Sequence, residues 1–389
     1  MQKRNETFLL IVFFLISLGL YSIFFIYRRM AEDLPDAIWR FELYRVHLAS
    51  EWAMPYFTPG RCGGFTLAAD THSLLFSLYV PMSLLISDQM VSIKLTNFLL
   101  TIILCVGVCR WLKYFGVTSL LSRYFAGLIV SVSGYWVFRL VTAGQLWVHG
   151  LAYVPWVMIQ IEKLLQNKPE LKRTYLIDVS LLVLFFFLLI NGGYHWPQFA
   201  PFIILGRLVV ELNPKAFKQN GSLRNIGIII LCGFMAILLS WPRLGGIYEF
   251  QLKNFPRLGG AVPHYQVIGD TGALLKSIFI SFFDPQVIIN KIYSPMLSSY
   301  QHVTNYIGCI SFFIIIVGLT KWRSIVKSKA FWGLFIASLM QLAMTRTTHM
   351  GDLIRWLVPP YNQITHHWRG SIILVFLQVF LLRLAMNGY

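Results

Sequence analysis

Acidic residues are scarce in this chain of 389 residues, and charge of either sign is low. There are 16 Asp and Glu against 33 Lys and Arg, 13% of the residues are charged, and 57% are hydrophobic. With a mean hydropathy of +0.63, this composition excludes an ordinary soluble globular domain and indicates an all-α polytopic membrane protein. Apolar segments recur too densely for a soluble domain to fit between them. We therefore expect one integral membrane domain over residues 1–389.

Cysteine is also rare, and its placement excludes two common uses. Cys62 stands alone in a loop, and the other four cysteines lie in apolar segments: Cys105, Cys109, Cys232 and Cys309. This pattern gives no disulfide framework and no Cys-x-x-Cys metal pair. There is no His-Glu-x-x-His motif, and the adjacent His366 and His367 point apart in regular structure. We therefore expect no metal site, and a divalent metal has no support in the ligand pattern.

Basic residues are abundant, but their positions do not indicate nucleic-acid binding. They occur in short runs between apolar segments, at 110–123, 163–173, 215–224 and 321–329, and such loops mark the cytoplasmic side of a membrane protein. Lys3 and Arg4 place the N-terminus on that side. The first apolar segment, Phe8 to Tyr27, is followed by Arg28 rather than a small-residue cleavage site, which predicts a retained helix.

Further apolar segments alternate in direction so that every basic run falls inside. They lie near residues 90–112, 120–141, 147–166, 174–192, 195–211, 224–241, 304–321, 330–345 and 370–387. We predict about ten spanning helices, with long outer loops at 29–89, 242–303 and 346–369. The stretch Leu74 to Ile86 is too short to span and contains Pro81, which predicts a re-entrant or interfacial helix on the outer side.

Carboxylates cluster directly after the first helix, at Glu32, Asp33 and Asp36. The following residues, 37–50, are amphipathic and predict an interfacial helix that brings Asp33 and Asp36 to the boundary between water and membrane. A carboxylate in that position can act as general base for an acceptor hydroxyl. The alternative is helix N-capping by Asp33 or Asp36, with Pro35 at an early helical position.

Later in the same loop, the segment 59–64 contains three glycines and precedes Asp70 and His72. Glycine permits tight turns and close backbone approach. A short helix that begins at these polar groups could hold a phosphate or a sugar hydroxyl. Capping by Asp70 or Thr71 explains the same residues without a ligand.

Polar groups also gather at the outer ends of later helices. Gln145 and His149 precede one inward helix, and the turn 192–198 carries His195 and Gln198 among glycines and aromatics. The aromatics are typical of an interfacial belt, whereas spanning a membrane does not require the Gln and His side chains. Outer arginines, including Arg257 and Arg369, suit a lipid-linked phosphate. Anionic lipid headgroups would explain them equally well.

Together these motifs resemble the GT-C fold of membrane glycosyltransferases, and more closely the YfhO-like family of bacterial membrane proteins. The resemblance covers nearly the whole chain through short motifs: Asp33-Leu34, the segments 55–64 and 68–81, Ser133-Gly134-Tyr135 with 145–155, the segment 193–198, Trp241-Pro242 with Glu249 and Arg257, Tyr306-Ile307-Gly308, and Arg369.

The resemblance implies transfer of a sugar from a polyprenyl-phosphate donor to an acceptor at the outer face of the bacterial inner membrane, with inversion. Asp33 would be the base, and Arg257 and Arg369 would stabilise the leaving lipid phosphate. The expected partners are membrane lipids, the lipid-linked sugar and other membrane subunits. The alternative is a non-catalytic subunit of a larger membrane complex, since a fold can exist without its activity. A transporter ranks last, because the sequence shows no internal repeat.

Overall fold

The computed structural model describes part of the chain. The described residues are 34–51, 57–58, 65–66, 74–131, 133, 136, 146–166, 173–193, 196, 199–212, 222–247, 326–344 and 376–377, together with 8, 12 and 19. The chain divides into two compact units. Unit 1 comprises Met1–Trp111, Arg139–Trp196 and Arg224–Pro256, and unit 2 comprises Leu112–Phe138, Pro197–Leu223 and Arg257–Tyr389. The single membrane domain expected from the sequence stays a prediction.

The described residues are mainly helical, with one short antiparallel strand pair. The elements in chain order are α1 (Leu34–Glu51), β1 (Phe57–Thr58), β2 (Phe65–Thr66), α2 (Tyr79–Leu85), α3 (Gln89–Tyr114), α4 (Leu120–Ser131), a 3-10 helix (Leu146–Tyr153), α5 (Val154–Gln166), α6 (Arg173–Asn191), α7 (Ala200–Glu211), α8 (Ser222–Leu239), α9 (Trp241–Ile247) and α10 (Lys329–Met344). In the strand pair, Phe57 lies opposite Thr66 and Thr58 opposite Phe65.

Helix α1 covers residues 37–50, which the sequence predicts to be helical, and its location at a membrane interface stays a prediction. Phe41 and Tyr44, one turn apart, are buried, whereas Val46 is exposed, so the helix has one packed face and one open face. On its surface, the Arg45 Nε donates to the Glu42 carboxylate at 2.9 Å. This hydrogen bond, with the positive charge of Arg45, lowers the pKa of Glu42.

Two described helices are long and apolar enough to cross a membrane by length and composition, namely α3 and α6. Helices α8 and α9 are bent by 70° at Ser240 and together pass as a third span. Asp88 begins α3 by accepting the backbone N–H groups of Met90 and Val91 at 2.9 and 3.1 Å, which is N-terminal capping. Apart from isolated positions, the expected spans at 8–27, 304–321 and 370–387 lie outside the described residues, so the count of about ten stays a prediction.

Two of the expected spans begin differently from the prediction. The segment expected as one helix over 147–166 is a 3-10 helix up to Tyr153 and an α-helix from Val154. Pro155 is the reason for the change, because proline cannot donate the backbone hydrogen bond that would continue a helix from the preceding turn. The segment expected from 195 forms α7 only from Ala200, with Pro201 in its first turn, where proline is favourable.

Side-chain interactions within unit 1 involve residues at or beside three of the basic runs and mark one end of the unit. Lys163 near the end of α5 bonds Asp178 near the start of α6 at 2.8 Å. The Asn225 amide at the start of α8 donates to the Leu164 carbonyl at 2.7 Å. The guanidinium of Arg110 lies over the ring of Trp156. We call this the basic end of unit 1, and the side of a membrane that it faces stays a prediction.

The opposite end of unit 1 gathers uncharged polar side chains and one arginine. These residues are Asn97, His149, Asn191, Ser240 and Arg243, and all are buried. We call this the polar end. In the sequence-based topology it is the outer end.

Candidate functional site

A buried hydrogen-bonded cluster lies at the polar end of unit 1. Tyr79 from α2 donates its hydroxyl proton to the Asn97 side-chain oxygen on α3. The same hydroxyl lies 2.5 Å from Nε2 of His149 in the 3-10 helix, and this Nε2 lies 3.1 Å from Asn97 Oδ1. Three elements that are distant in sequence therefore meet at one point.

With the Asn97 amide oriented so that Oδ1 faces the cluster, one tautomer of His149 fits the hydrogen bonds. Asn97 Oδ1 can only accept, and the Tyr79 hydroxyl has one proton to give. A proton on His149 Nε2 lets the imidazole donate to both oxygens, whereas a bare Nε2 would leave two acceptors facing each other. We therefore assign the Nε2–H tautomer. In this form the cluster has no repulsive contact among its three side chains.

Tyr79 also connects the cluster to α1. Its ring stacks on Phe41, with centroids 4.9 Å apart and an interplanar angle of 15°. Phe41 and Tyr79 are both buried, and the geometry is the offset parallel contact that aromatic pairs favour. Helix α1, which begins at the residue after Asp33, is thereby attached to the polar end of the bundle.

A close backbone contact joins the 3-10 helix to the end of α6. The Gly150 N–H donates to the Gly192 carbonyl at 2.8 Å. A Cβ on Gly150 would collide with the Leu189 carbonyl oxygen, and one on Gly192 would collide with the Gly150 backbone. The next residue, Gly193, has a φ of 131°, which favours glycine. Both glycines of the polar turn predicted at 192–198 are thus required by backbone geometry.

Asn191, Ser240 and Arg243 form a second set of contacts at this end. The Asn191 amide donates to the Phe187 carbonyl at 2.9 Å and to the Ser240 hydroxyl at 2.8 Å. Arg243, only 1% exposed, donates to the Ile190 carbonyl at 3.1 Å. The bond from Arg243 satisfies the Ile190 carbonyl, one of the last four carbonyls of α6 that the helix itself leaves open. Together with the bond between Asn191 and Ser240, it attaches the bent pair α8 and α9 to α6.

An apolar cavity of about 620 Å³, open on one side to the surface of unit 1, adjoins the cluster of Tyr79, Asn97 and His149, which we call the Tyr79 cluster. Its volume lies within the range of about 300–1,000 Å³ that is usual for small-molecule sites. Its walls come from the turn before α2, α2 itself, α3, Tyr153, α5 and α6. Within the part of the chain that the structure describes, no charged side chain lines it. Val80, beside Tyr79, forms part of the wall, so one short helix contacts both the cavity and the polar cluster.

The structure describes only two of the ten predicted site residues. Asp36 is in the first turn of α1, where a carboxylate is favourable near the helix N-terminus, and His149 is in the buried cluster. The other eight lie outside the described residues: Asp33, Asp70, His72, Gln145, His195, Gln198, Arg257 and Arg369. Their roles stay predictions.

Sequence reasoning did not identify Tyr79 and Asn97 as partners of His149. The available signal was Asn97 together with three hydroxyl residues, Ser92, Thr96 and Thr101, within the mainly apolar α3. Among the described residues, no group of three or more His, Cys, Asp or Glu side chains could hold a metal ion.

The fold and site together define a helical protein with two or three candidate membrane spans and a buried polar cluster beside an apolar cavity. No family model, no curated protein and no solved structure matches the chain.

Proposed function

We propose that the protein is a GT-C-like glycosyltransferase of a bacterial inner membrane. It has about ten spanning helices, transfers a sugar from a polyprenyl-phosphate donor, and acts on an acceptor at the outer face. The observation that carries the proposal is the apolar cavity beside the Tyr79 cluster. A donor of this class needs an apolar site for its lipid chain, and the cavity supports the proposal because its described lining is apolar and uncharged.

Asp33 is the general base in this proposal. It directly precedes α1, which is attached to the polar end through Phe41 and Tyr79. Proton removal from the acceptor hydroxyl by a positioned carboxylate accelerates transfer by about a hundredfold to ten-thousandfold. Arg257 and Arg369 stabilise the departing lipid phosphate, since guanidinium binds phosphate through two hydrogen bonds.

Asp33→Asn tests the assignment. We expect loss of transfer by a factor of about a hundred or more, with normal insertion and an unchanged thermal unfolding midpoint. The assay uses membranes that contain the full chain, a panel of polyprenyl-phosphate hexoses, and detection of released polyprenyl phosphate. Glu42→Gln is the matched control, because Glu42 is a carboxylate on the surface of the neighbouring helix, paired with Arg45. Equal transfer by Asp33→Asn and wild type would overturn the role of Asp33 as the base. Absence of polyprenyl phosphate release by wild type with every donor of the panel would contradict the proposal and favour the non-catalytic subunit.

A further inference from the structure

The cavity ends at Trp156. Among its described lining residues, Ile103, Trp156 and Phe185 lie furthest towards the basic end. At its other end the cavity reaches Val80, beside the Tyr79 cluster. The space therefore runs from the polar end and stops before the charged groups of the basic end.

Contacts on several sides hold the Trp156 ring in place. Its Nε1 donates to the Ile103 carbonyl at 2.9 Å, and the Phe185 ring lies 5.6 Å away between centroids. Behind it, a Cβ on Gly107 would lie 2.7 Å from Nε1 and 3.0 Å from Cδ1. The indole thus rests directly on the backbone of α3, and only a glycine at position 107 leaves room for it.

Positive charge lies beyond the ring. The guanidinium carbon of Arg110 is 5.4 Å from the Trp156 ring centroid, in the geometry of a cation–π interaction. A hydrocarbon chain that extended past Trp156 would displace this contact and meet a charged group. The apolar path therefore ends where the Trp156 ring lies.

We propose that Trp156 sets the length of the lipid chain that the protein accepts. The occupant is the isoprenoid chain of a lipid phosphate, with its phosphate at the polar end and its chain directed towards Trp156. This inference rests on the proposed function. The cavity fits such a chain because none of the described residues that line it is charged and because α3 and α6, two of its walls, are candidate membrane spans. The described lining offers no positive charge to a phosphate, so we place the phosphate outside the cavity.

The proposal predicts a limit in chain length. Each additional buried methylene raises the affinity by up to about fourfold, until the chain reaches the indole. Chains longer than that bind with no higher affinity. Binding therefore rises with chain length and levels off at the chain that contacts Trp156.

Native mass spectrometry of the detergent-purified full chain measures this limit. The probes are geranyl, farnesyl, geranylgeranyl and undecaprenyl phosphate, each at the same concentration. We expect Trp156→Ala to shift the levelling-off by at least one member of this series towards longer chains, and Trp156→Phe to shift it less. Gly107→Ala keeps the indole but displaces it, so it also shifts the limit.

Phe234→Ala is the control. It removes an aromatic ring that is 54% exposed and does not line the cavity, so its profile should equal that of wild type. Thermal unfolding of each variant identifies those that are not folded. Identical profiles for wild type, Trp156→Phe and Gly107→Ala would overturn the proposal.

The variant Asp33→Asn separates this inference from the proposed function. A chain-length limit that persists in Asp33→Asn supports the role of Trp156, whether or not Asp33 is needed for transfer. Transfer that depends on Asp33, without any chain-length limit, overturns the role of Trp156 and leaves the glycosyltransferase assignment intact.

Discussion

At the residue scale, Tyr79 has two separate functions in packing. Its ring stacks on Phe41 of α1, and its hydroxyl joins Asn97 and His149. The first contact is apolar and depends on ring area, whereas the second depends on one proton. Different substitutions at the same position can therefore remove them one at a time.

Tyr79→Phe removes the hydroxyl and keeps the ring. We expect a loss of about 1–3 kcal/mol in the free energy of unfolding, the usual cost when buried hydrogen-bond partners are left unsatisfied. Tyr79→Ala also removes the stack and should cost about 3–5 kcal/mol. Denaturant unfolding in detergent micelles measures both values.

A double-mutant cycle provides the control for this prediction. Tyr79→Phe and Asn97→Leu each break the same bond, so their combination should cost less than the sum of the single changes. If the costs of the single variants simply add, the two side chains are not coupled.

His149 also shows what a sequence can and cannot predict at this scale. A histidine beside glycines at a helix end stands out in an apolar chain, and the structure places it in the buried cluster. Its partners, Asn97 and Tyr79, are 52 and 70 residues away in the sequence. Which residue of α3 faces the 3-10 helix depends on the relative rotation and height of two helices, and apolar composition does not fix either.

At the element scale, α7 and α10 form an antiparallel pair in unit 2 with a very close backbone approach. A Cβ on Gly206 would collide with the Gly333 carbonyl oxygen and would lie 3.1 Å from the Ala337 nitrogen. Gly333 and Ala337 are four residues apart on α10, and small residues at this spacing allow helices to pack tightly in membranes. At one end of the pair, Glu211 accepts from Arg207 at 2.8 Å and from Lys329 at 3.2 Å, which fixes the register.

Gly206→Ala should destabilise the protein, because the new methyl group forces the two backbones apart. Overpacking of this kind costs about 1–3 kcal/mol. Thermal unfolding of the purified protein should show a lower midpoint. Gly227→Ala is the matched control, since a Cβ there meets nothing within 4 Å. In a helix interior that change should stabilise by about 0.5–1 kcal/mol. A Gly206→Ala protein as stable as wild type would mean that the helices do not approach so closely.

Hydropathy was sufficient to locate α3, α6 and α10, whose bounds lie within a few residues of those predicted. It did not predict the change from 3-10 to α-helix at Val154 or the bend of 70° at Ser240. Both features depend on interactions that a hydropathy average omits. The first lies beside Pro155 and the contact between Gly150 and Gly192, and the second beside Pro242 and the bond between Asn191 and Ser240.

At the scale of the whole molecule, residues that border the basic runs lie at a shared end of the helices within each unit. In unit 1, Lys163 at the end of α5 contacts the start of α6, and Arg110 contacts α5. In unit 2, the end of α7 contacts Lys329 at the start of α10. In each unit, neighbouring helices therefore place the residues that border the basic runs at a shared end. This is the arrangement that the positive-inside rule requires.

Cysteine labelling in intact bacterial cells tests the resulting orientation. Ser50, Lys113 and Lys327 are exposed and serve as labelling positions. The variant Cys62→Ser, which lacks the cysteine that the sequence places in a loop, is the background.

With a membrane-impermeant maleimide, we expect Ser50→Cys to react before lysis, because α1 is predicted to lie outside. Lys113→Cys and Lys327→Cys should react only after lysis, because both border basic runs that are predicted to be cytoplasmic. Cys62→Ser alone gives the baseline for the remaining cysteines. Reaction of Lys113→Cys in intact cells would mean that the orientation is the reverse of the predicted one. Asp33 would then face the cytoplasm, where it could not act on an outer acceptor.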